Sequence, residues 1–240
     1  FEQAIPNLVL EPEDLKEIRL GDTVLLKAVQ VQGAVEKFER FGVGPRFCAL
    51  VKDELHERLS RRLSQMSKDD EIQEEMLGLD VDEQVQIFGE TISPDDEKET
   101  ANLTQKYLEH RYTEAHDLID ALAWIRFDRI GMRLLGQQAL SATEWLYLKL
   151  LITGAGDKNA RYVMIDEVQD YTESQLMVLA RHFSRAHFLL LGDENQAIME
   201  GTATFPQIKS IFEETHGSVE ECRLLTSYRS SPEITELFCS

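Results

Sequence analysis

Cysteine is scarce in this chain, and what little there is does no obvious work. Cys48, Cys222 and Cys239 are odd in number and show no Cys-x-x-Cys spacing, which argues against both a disulfide framework and a zinc site. The six histidines are scattered, and none stands at metal-ligand spacing from a second donor. Long hydrophobic runs are missing as well. No stretch approaches the ~20 apolar residues that span a bilayer, and no signal peptide is visible at the N-terminus. Positive charge is the third shortage: 25 Lys and Arg face 44 Asp and Glu, for a net charge of −19. A protein that tracks along DNA needs basic groups to neutralise phosphates, although net charge does not describe local patches. The remaining 42% hydrophobic content suffices for one sizeable core plus an appendage. These features point to a soluble, cytoplasmic protein with no membrane partner.

What is present is concentrated at Val163–Asp170, which reads Val-Met-Ile-Asp-Glu-Val-Gln-Asp. An apolar strand stops there on carboxylates. Such a strand end lies at the carboxyl edge of a parallel sheet, where open α/β sheets bind their ligands. An Asp in that place can hold Mg²⁺, and a neighbouring Glu can orient or deprotonate a water. An acidic surface strand end without function is the plain alternative in a chain this rich in Asp and Glu.

The residues downstream repeat the pattern. Thr172-Glu-Ser-Gln175 has capping-box spacing, and Leu176, Val178, Leu179 and Phe183 give the helix it opens a one-sided apolar face. His187–Leu191 is a second short apolar strand, ending on Gly192-Asp193-Glu194-Asn195-Gln196. Strand, acidic tip, helix, strand and polar tip make a βαβ unit with both tips on one edge. A third round is predicted: a helix over Phe205–Thr215, a strand over Val219–Leu225, and a tip at Thr226–Ser231 that includes Tyr228 and Arg229. Ser231-Pro232 then reads as an N-cap and first-turn proline opening another helix.

Asp-Glu-Val-Gln-Asp, Gly-Asp-Glu-Asn-Gln and Ser-Tyr-Arg-Ser, in this order and each on the expected element, resemble motifs II, III and IV of superfamily 1 helicase-like ATPases of the UvrD/Rep kind. The finer texture is similar to the HelD-type branch, helicase-like ATPases that act on bacterial RNA polymerase. It rests on Asp170-Tyr-Thr172, on Leu191-Gly-Asp-Glu-Asn-Gln-Ala-Ile198 and on Ser227 where many DNA helicases have Asn. The resemblance implies a RecA-like P-loop NTPase motor domain, here partial, with a parallel sheet and a mainly helical inserted arm. It implies ATP and Mg²⁺ as substrate and ion. Asp166 would bind Mg²⁺, and Glu167 would activate the attacking water. Gln196 would contact the γ-phosphate region, Arg229 would stabilise charge on that phosphate, and Tyr228 would stack on the adenine. Gln169, Asp170 and Asp193 would organise the site; Asp170 beginning a helix and Asp193 capping a turn are the simpler readings of those two.

The chain also departs from that family. No Gly-x-x-x-x-Gly-Lys-[Ser/Thr] loop occurs in it. The nearest imitation, Gly154-Ala-Gly-Asp-Lys158-Asn159, lacks the spacing and the hydroxyl residue, and precedes a strand rather than following one. It reads as a solvated turn. With no such loop, no initiator Met and no later motifs, the sequence reads as an internal piece of a larger motor, inactive alone.

Residues 1–158 have a different texture, mainly helical, and the α/β pattern with motifs II to IV occupies 159–240. A short strand is predicted at Asp22–Leu26, helices at Ala34–Phe41 and Arg46–Met66, and a long helix from Thr113 to about Gly136. Ser141-Ala-Thr-Glu144 is a second capping box, opening a helix through Ile152. Within this arm, residues 67–100 hold thirteen Asp and Glu against Lys68 and Lys98, about −11 of the chain's −19. That segment reads as a solvated, partly disordered loop, with occupation of a basic channel in a partner as the functional alternative.

Three functions stay open on these residues: a HelD-type motor acting on RNA polymerase, a UvrD/Rep-type helicase acting on DNA, and a non-catalytic interaction module. The fold type further implies an open edge on the His187–Leu191 strand, because the strand leading into the phosphate loop normally lies beside it.

Overall fold

Residues 11–26 begin the fold by pairing locally. Gly21, at φ 54°, turns the chain between β1 (Ile18–Leu20) and β2 (Thr23–Leu26), an antiparallel pair. The computed structural model describes residues 1–193 and 201–223, in two compact units, 1–139 and 140–240. The division falls earlier than the change of sequence texture at 158/159, because helix α8 (Ala142–Thr153) packs on a helix of the second unit.

The first unit is helical. Its centre is α2 (Pro45–Met66), opened by Pro45 in its first turn, where a missing N–H costs nothing. Val51, Leu55, Leu59 and Leu63 form a fully buried stripe at four-residue spacing along it. Around that stripe pack α1 (Ala28–Phe38), α5 (Glu97–Arg111) and α6 (Thr113–Asp120). The long helix predicted from Thr113 is two helices. Leu122 sits at φ 59° and Trp124 is fully buried, so the chain turns before α7 (Phe127–Leu135) begins.

The acidic segment corrects its sequence reading. Instead of a partly disordered loop it forms α3 (Asp70–Leu77) and α4 (Val81–Phe88) and leads into α5. Its carboxylates stand where helices favour them. Asp69, Asp80 and Asp96 are N-caps accepting from the backbone N–H of Glu71, Glu83 and Glu99, and more acids fill the first turns. Met76 is fully buried, and Glu75 meets Arg111 at 2.7 Å and the Tyr107 hydroxyl at 3.0 Å. Burial and the adjoining Glu75 push the Tyr107 phenol above its ordinary pKa.

The second unit is mixed α/β. β3 (Tyr162–Ile165) and β4 (His187–Leu190) are parallel, in register Tyr162↔His187 to Ile165↔Leu190, joined through α9 (Glu173–His182). Both predicted capping boxes form: Ser141 with Glu144 on α8 and Thr172 with Gln175 on α9. Helix α10 (Phe205–His216) carries Ile208 and Phe212 into a core shared with Ile165, Val168, Leu176 and Ala180. The predicted strand at Val219–Leu225 is not seen in its described part, Val219–Arg223, which is irregular. Among the described residues β4 pairs with β3 alone, so its other edge carries no ladder. No described helix is long and apolar enough to cross a membrane.

Candidate functional site

Where β3 ends, the backbone departs from what a strand would do. Glu167 takes a left-handed conformation, φ 51° and ψ 46°, and is one of two non-glycine residues with positive φ among those described. That region costs an L-residue about 1–2 kcal/mol, so the surroundings must hold it. They do so on both sides. Asp166 accepts from the Glu167 N–H through Oδ1 at 3.0 Å, and the Asp170 N–H donates to the Glu167 carbonyl at 2.9 Å. The chain then closes into a 3-10 turn, Val168–Asp170, which leads to the Thr172 cap of α9.

The ends of the two strands are tied together beyond the ladder. The Leu191 N–H donates to the Ile165 carbonyl at 2.8 Å, and the Val168 N–H donates to the Leu191 carbonyl at 2.9 Å. Gln169 adds a side-chain link. It is 3% exposed; its Nε2 donates to Glu167 Oε2 at 2.6 Å, and its Oε1 accepts from the Asp193 N–H at 3.1 Å. A carboxylate only accepts and a backbone N–H only donates, so the orientation of this amide is fixed by chemistry. Gly192 is the residue that pattern reading passed over. A Cβ there would stand 2.5 Å from Gln169 Oε1 and 2.9 Å from Val168 Cγ1, closer than atoms pack. The signal lay in the sequence as a glycine directly after an apolar strand.

Asp166, Glu167, Gln169 and Asp193 are thus gathered at the ends of β3 and β4, with the two acids of the first strand exposed to solvent. Gln196, Tyr228 and Arg229 lie outside the described residues. Asp170 belongs to the 3-10 turn and is exposed, rather than being the first residue of a helix. No group of three or more His, Cys, Asp or Glu that could hold a metal occurs among the described residues. A single exposed carboxylate such as Asp166 nonetheless suits Mg²⁺, which commonly keeps several waters and takes one or two carboxylates plus substrate phosphates.

The turn at Gly154–Asn159 has its own amide partners. Gly154 caps α8 at φ 61°, and Asp157 Oδ1 accepts from the N–H groups of Asn159 at 2.7 Å and Ala160 at 3.1 Å. Those two bonds hold the Asp157 carboxyl below its ordinary pKa. Two of the amides that could face a phosphate are therefore spent on the turn's own carboxylate.

Residues 46–201 match the family described as the UvrD/REP helicase N-terminal domain. No curated protein matches the chain. The family match runs from the start of α2 past the end of β4, covering well over half of the sequence and both gathered strand ends. The chain belongs to the UvrD/REP helicase N-terminal domain family and is part of a superfamily 1 helicase-like motor.

Proposed function

We propose that the β3–β4 strand ends are one wall of an ATP-hydrolysing site in a HelD-type motor that acts on RNA polymerase. The observation that carries the catalytic part is the held, left-handed Glu167 beside Asp166, with a buried amide linking it to Asp193. In this reading Asp166 would hold Mg²⁺ together with the nucleotide phosphates, and the bound ion would supply charge neutralisation at the transferred group. Glu167 accepts the proton of the attacking water. The motif resemblance would assign Gln196 and Arg229 to the γ-phosphate and Tyr228 to the adenine. The opposite wall requires backbone amides and a Lys to cradle the β- and γ-phosphates, and no phosphate-loop motif occurs in the 240 residues. The 240 residues alone are therefore expected not to turn over ATP.

The polymerase partner is supported by the texture of the three motifs and by charge. An excess of acid, much of it on α3, α4 and the start of α5, suits a basic channel of a protein better than a DNA backbone. The family match supports a second reading, an ATP-dependent DNA helicase. The two separate in one assay, ATP turnover by the intact protein with single-stranded DNA and with RNA polymerase in turn. Stimulation by polymerase is expected; strong stimulation by single-stranded DNA and none by polymerase would sink the HelD-type reading. Glu167→Gln in the same protein is expected to lower turnover at least 100-fold, and unchanged turnover would remove the catalytic assignment altogether.

A further inference from the structure

Gln169 is the one buried polar side chain of the second unit among the described residues, and its amide is used at both ends. One end holds the Glu167 carboxylate, which stands on a strained backbone at the end of β3. The other holds the N–H of Asp193, the first residue past Gly192 at the end of β4. The amide fits between the strands only because position 192 has no Cβ. A buried amide with two partners of opposite kind has one orientation, so displacing one partner moves the other.

We infer that Gln169 is a positioning residue that ties the aim of the Glu167 carboxylate to the end of β4, with Gly192 as the clearance that lets it do so. This rests on the reading of Glu167 as the water-activating group. Loss of the Gln169 amide would leave the Glu167 carboxylate without the bond that aims it. A carboxylate misplaced by about 1 Å costs on the order of 100-fold in rate without loosening the nucleotide. The coupling therefore belongs in kcat and not in KM.

The test uses the intact protein and reads kcat and KM for ATP, with thermal unfolding as the check on fold. Gln169→Met keeps length and approximate volume and removes both hydrogen bonds. The expected result is a fall in kcat of about 10- to 100-fold with KM for ATP within about threefold of the original. Gln169→Glu keeps an acceptor for the Asp193 N–H but loses the donor to Glu167; it is the variant to read if Gln169→Met does not fold, and the same split is expected. Gly192→Ala should reproduce that split, because its Cβ displaces the amide. A kcat unchanged by the Gln169 variants, or a fall matched by an equal rise in KM, overturns the proposal. Glu167→Gln is run alongside to separate the failures. If it abolishes turnover while the Gln169 variants keep kcat, the positioning role alone is wrong; if it too leaves turnover unchanged, the catalytic reading beneath it is wrong.

Discussion

The two units bury polar groups for different ends. In the helical unit Asp14, Glu54, Ser67 and Thr104 are buried, and the two acids among them join distant segments. Asp14 is fully buried and meets Arg133 at 2.5 Å and Arg129 at 3.6 Å, while the Arg126 N–H donates to its carbonyl at 2.8 Å. Glu54 lies between Lys37 of α1 and Arg58 of its own helix, and the Lys37 bond, with Arg58 adding to it, holds its carboxyl below the ordinary range. In the α/β unit the two acids at the end of β3 stay exposed and the buried polar group is Gln169, tied to one of them. Charge buried with its partner fixes structure; charge left at a strand end with a buried amide behind it is free to meet a ligand. That contrast, more than any one residue, separates scaffold from site.

If the helical unit is scaffold, damage to its core should be the most costly of the changes considered. Trp124 is fully buried and its indole N–H donates to the Ile119 carbonyl at 3.3 Å. Trp124→Ala is expected to destabilise by about 3–5 kcal/mol in chemical denaturation, with a cavity and a lost hydrogen bond together. A loss below about 1 kcal/mol would mean that this core is not packed as described. Asp14→Ala comes next. It removes a carboxylate from two guanidinium groups, but Arg133 keeps Glu11 at 3.3 Å, and Arg129 and Arg133 are 40% and 32% exposed, so water can take up part of the loss. A cost of about 2–3 kcal/mol is expected, below the 3–5 typical where the orphaned partner is fully buried.

A smaller effect should appear with pH at the contact between α2 and α6. His56 and His116 stack with ring centroids 5.0 Å apart and Nδ1 atoms 2.8 Å apart, and His56 Nε2 lies 3.3 Å from Asp120 Oδ1. One proton can sit between the two Nδ1 atoms, and a second must break the contact. Burial, with His56 adding to it, holds the His116 pKa below 6.5. The unfolded chain therefore binds that proton more readily than the folded one. Stability from this site is present above pH 6.5 and is lost as pH falls through that value toward the lower folded pKa. Denaturation midpoints measured at pH 7.5 and 5.5 should differ in that direction, and His116→Asn should shrink the difference. An unchanged slope in the variant would show that His116 does not carry this pH dependence.

The contrast between units also explains what pattern reading could and could not find. Capping boxes are local, so Ser141 with Glu144 and Thr172 with Gln175 were legible directly. The same box stood in Asp80-Val-Asp-Glu83, and its N-cap half in Asp96-Glu-Lys-Glu99, yet the density of charge around them read as a solvated loop. What turned it into helices is packing that no local pattern carries: Met76 in the core and Glu75 on Arg111 and Tyr107, more than thirty residues away. The break at Leu122–Trp124 was hidden for a related reason, since apolar spacing continued across it. At the site, strand-end position placed Asp166, Glu167, Gln169 and Asp193 together, while the roles proposed for them came only from the family resemblance. The link between Glu167 and Asp193, and the need for Gly192, depend on register between β3 and β4 and so became visible only in three dimensions.

The smallest expected effect is the most informative about the α/β unit. The parallel pair packs Val163, Ile165, Phe188 and Leu190 against α9 and α10, while Tyr162, Met164, Leu189 and Leu191 on the alternate positions are 80%, 68%, 50% and 42% exposed. Parallel sheets are usually covered on both faces, so this face is the unusual one. If it is open in solution, Met164→Thr should change stability by less than about 0.5 kcal/mol. Ile165→Thr, one residue on and on the covered face, should cost about 2 kcal/mol or more, through lost apolar contact and a hydroxyl brought into the core. Chemical denaturation of both variants at two protein concentrations reads the difference. Equal losses on the two faces would mean that Met164 is covered in solution. A loss at Met164 that grows with protein concentration would identify the cover as a second copy of the chain. Either result would break the contrast drawn between the units, because the strand ends carrying Asp166 and Glu167 would then sit in a sheet buried on both sides.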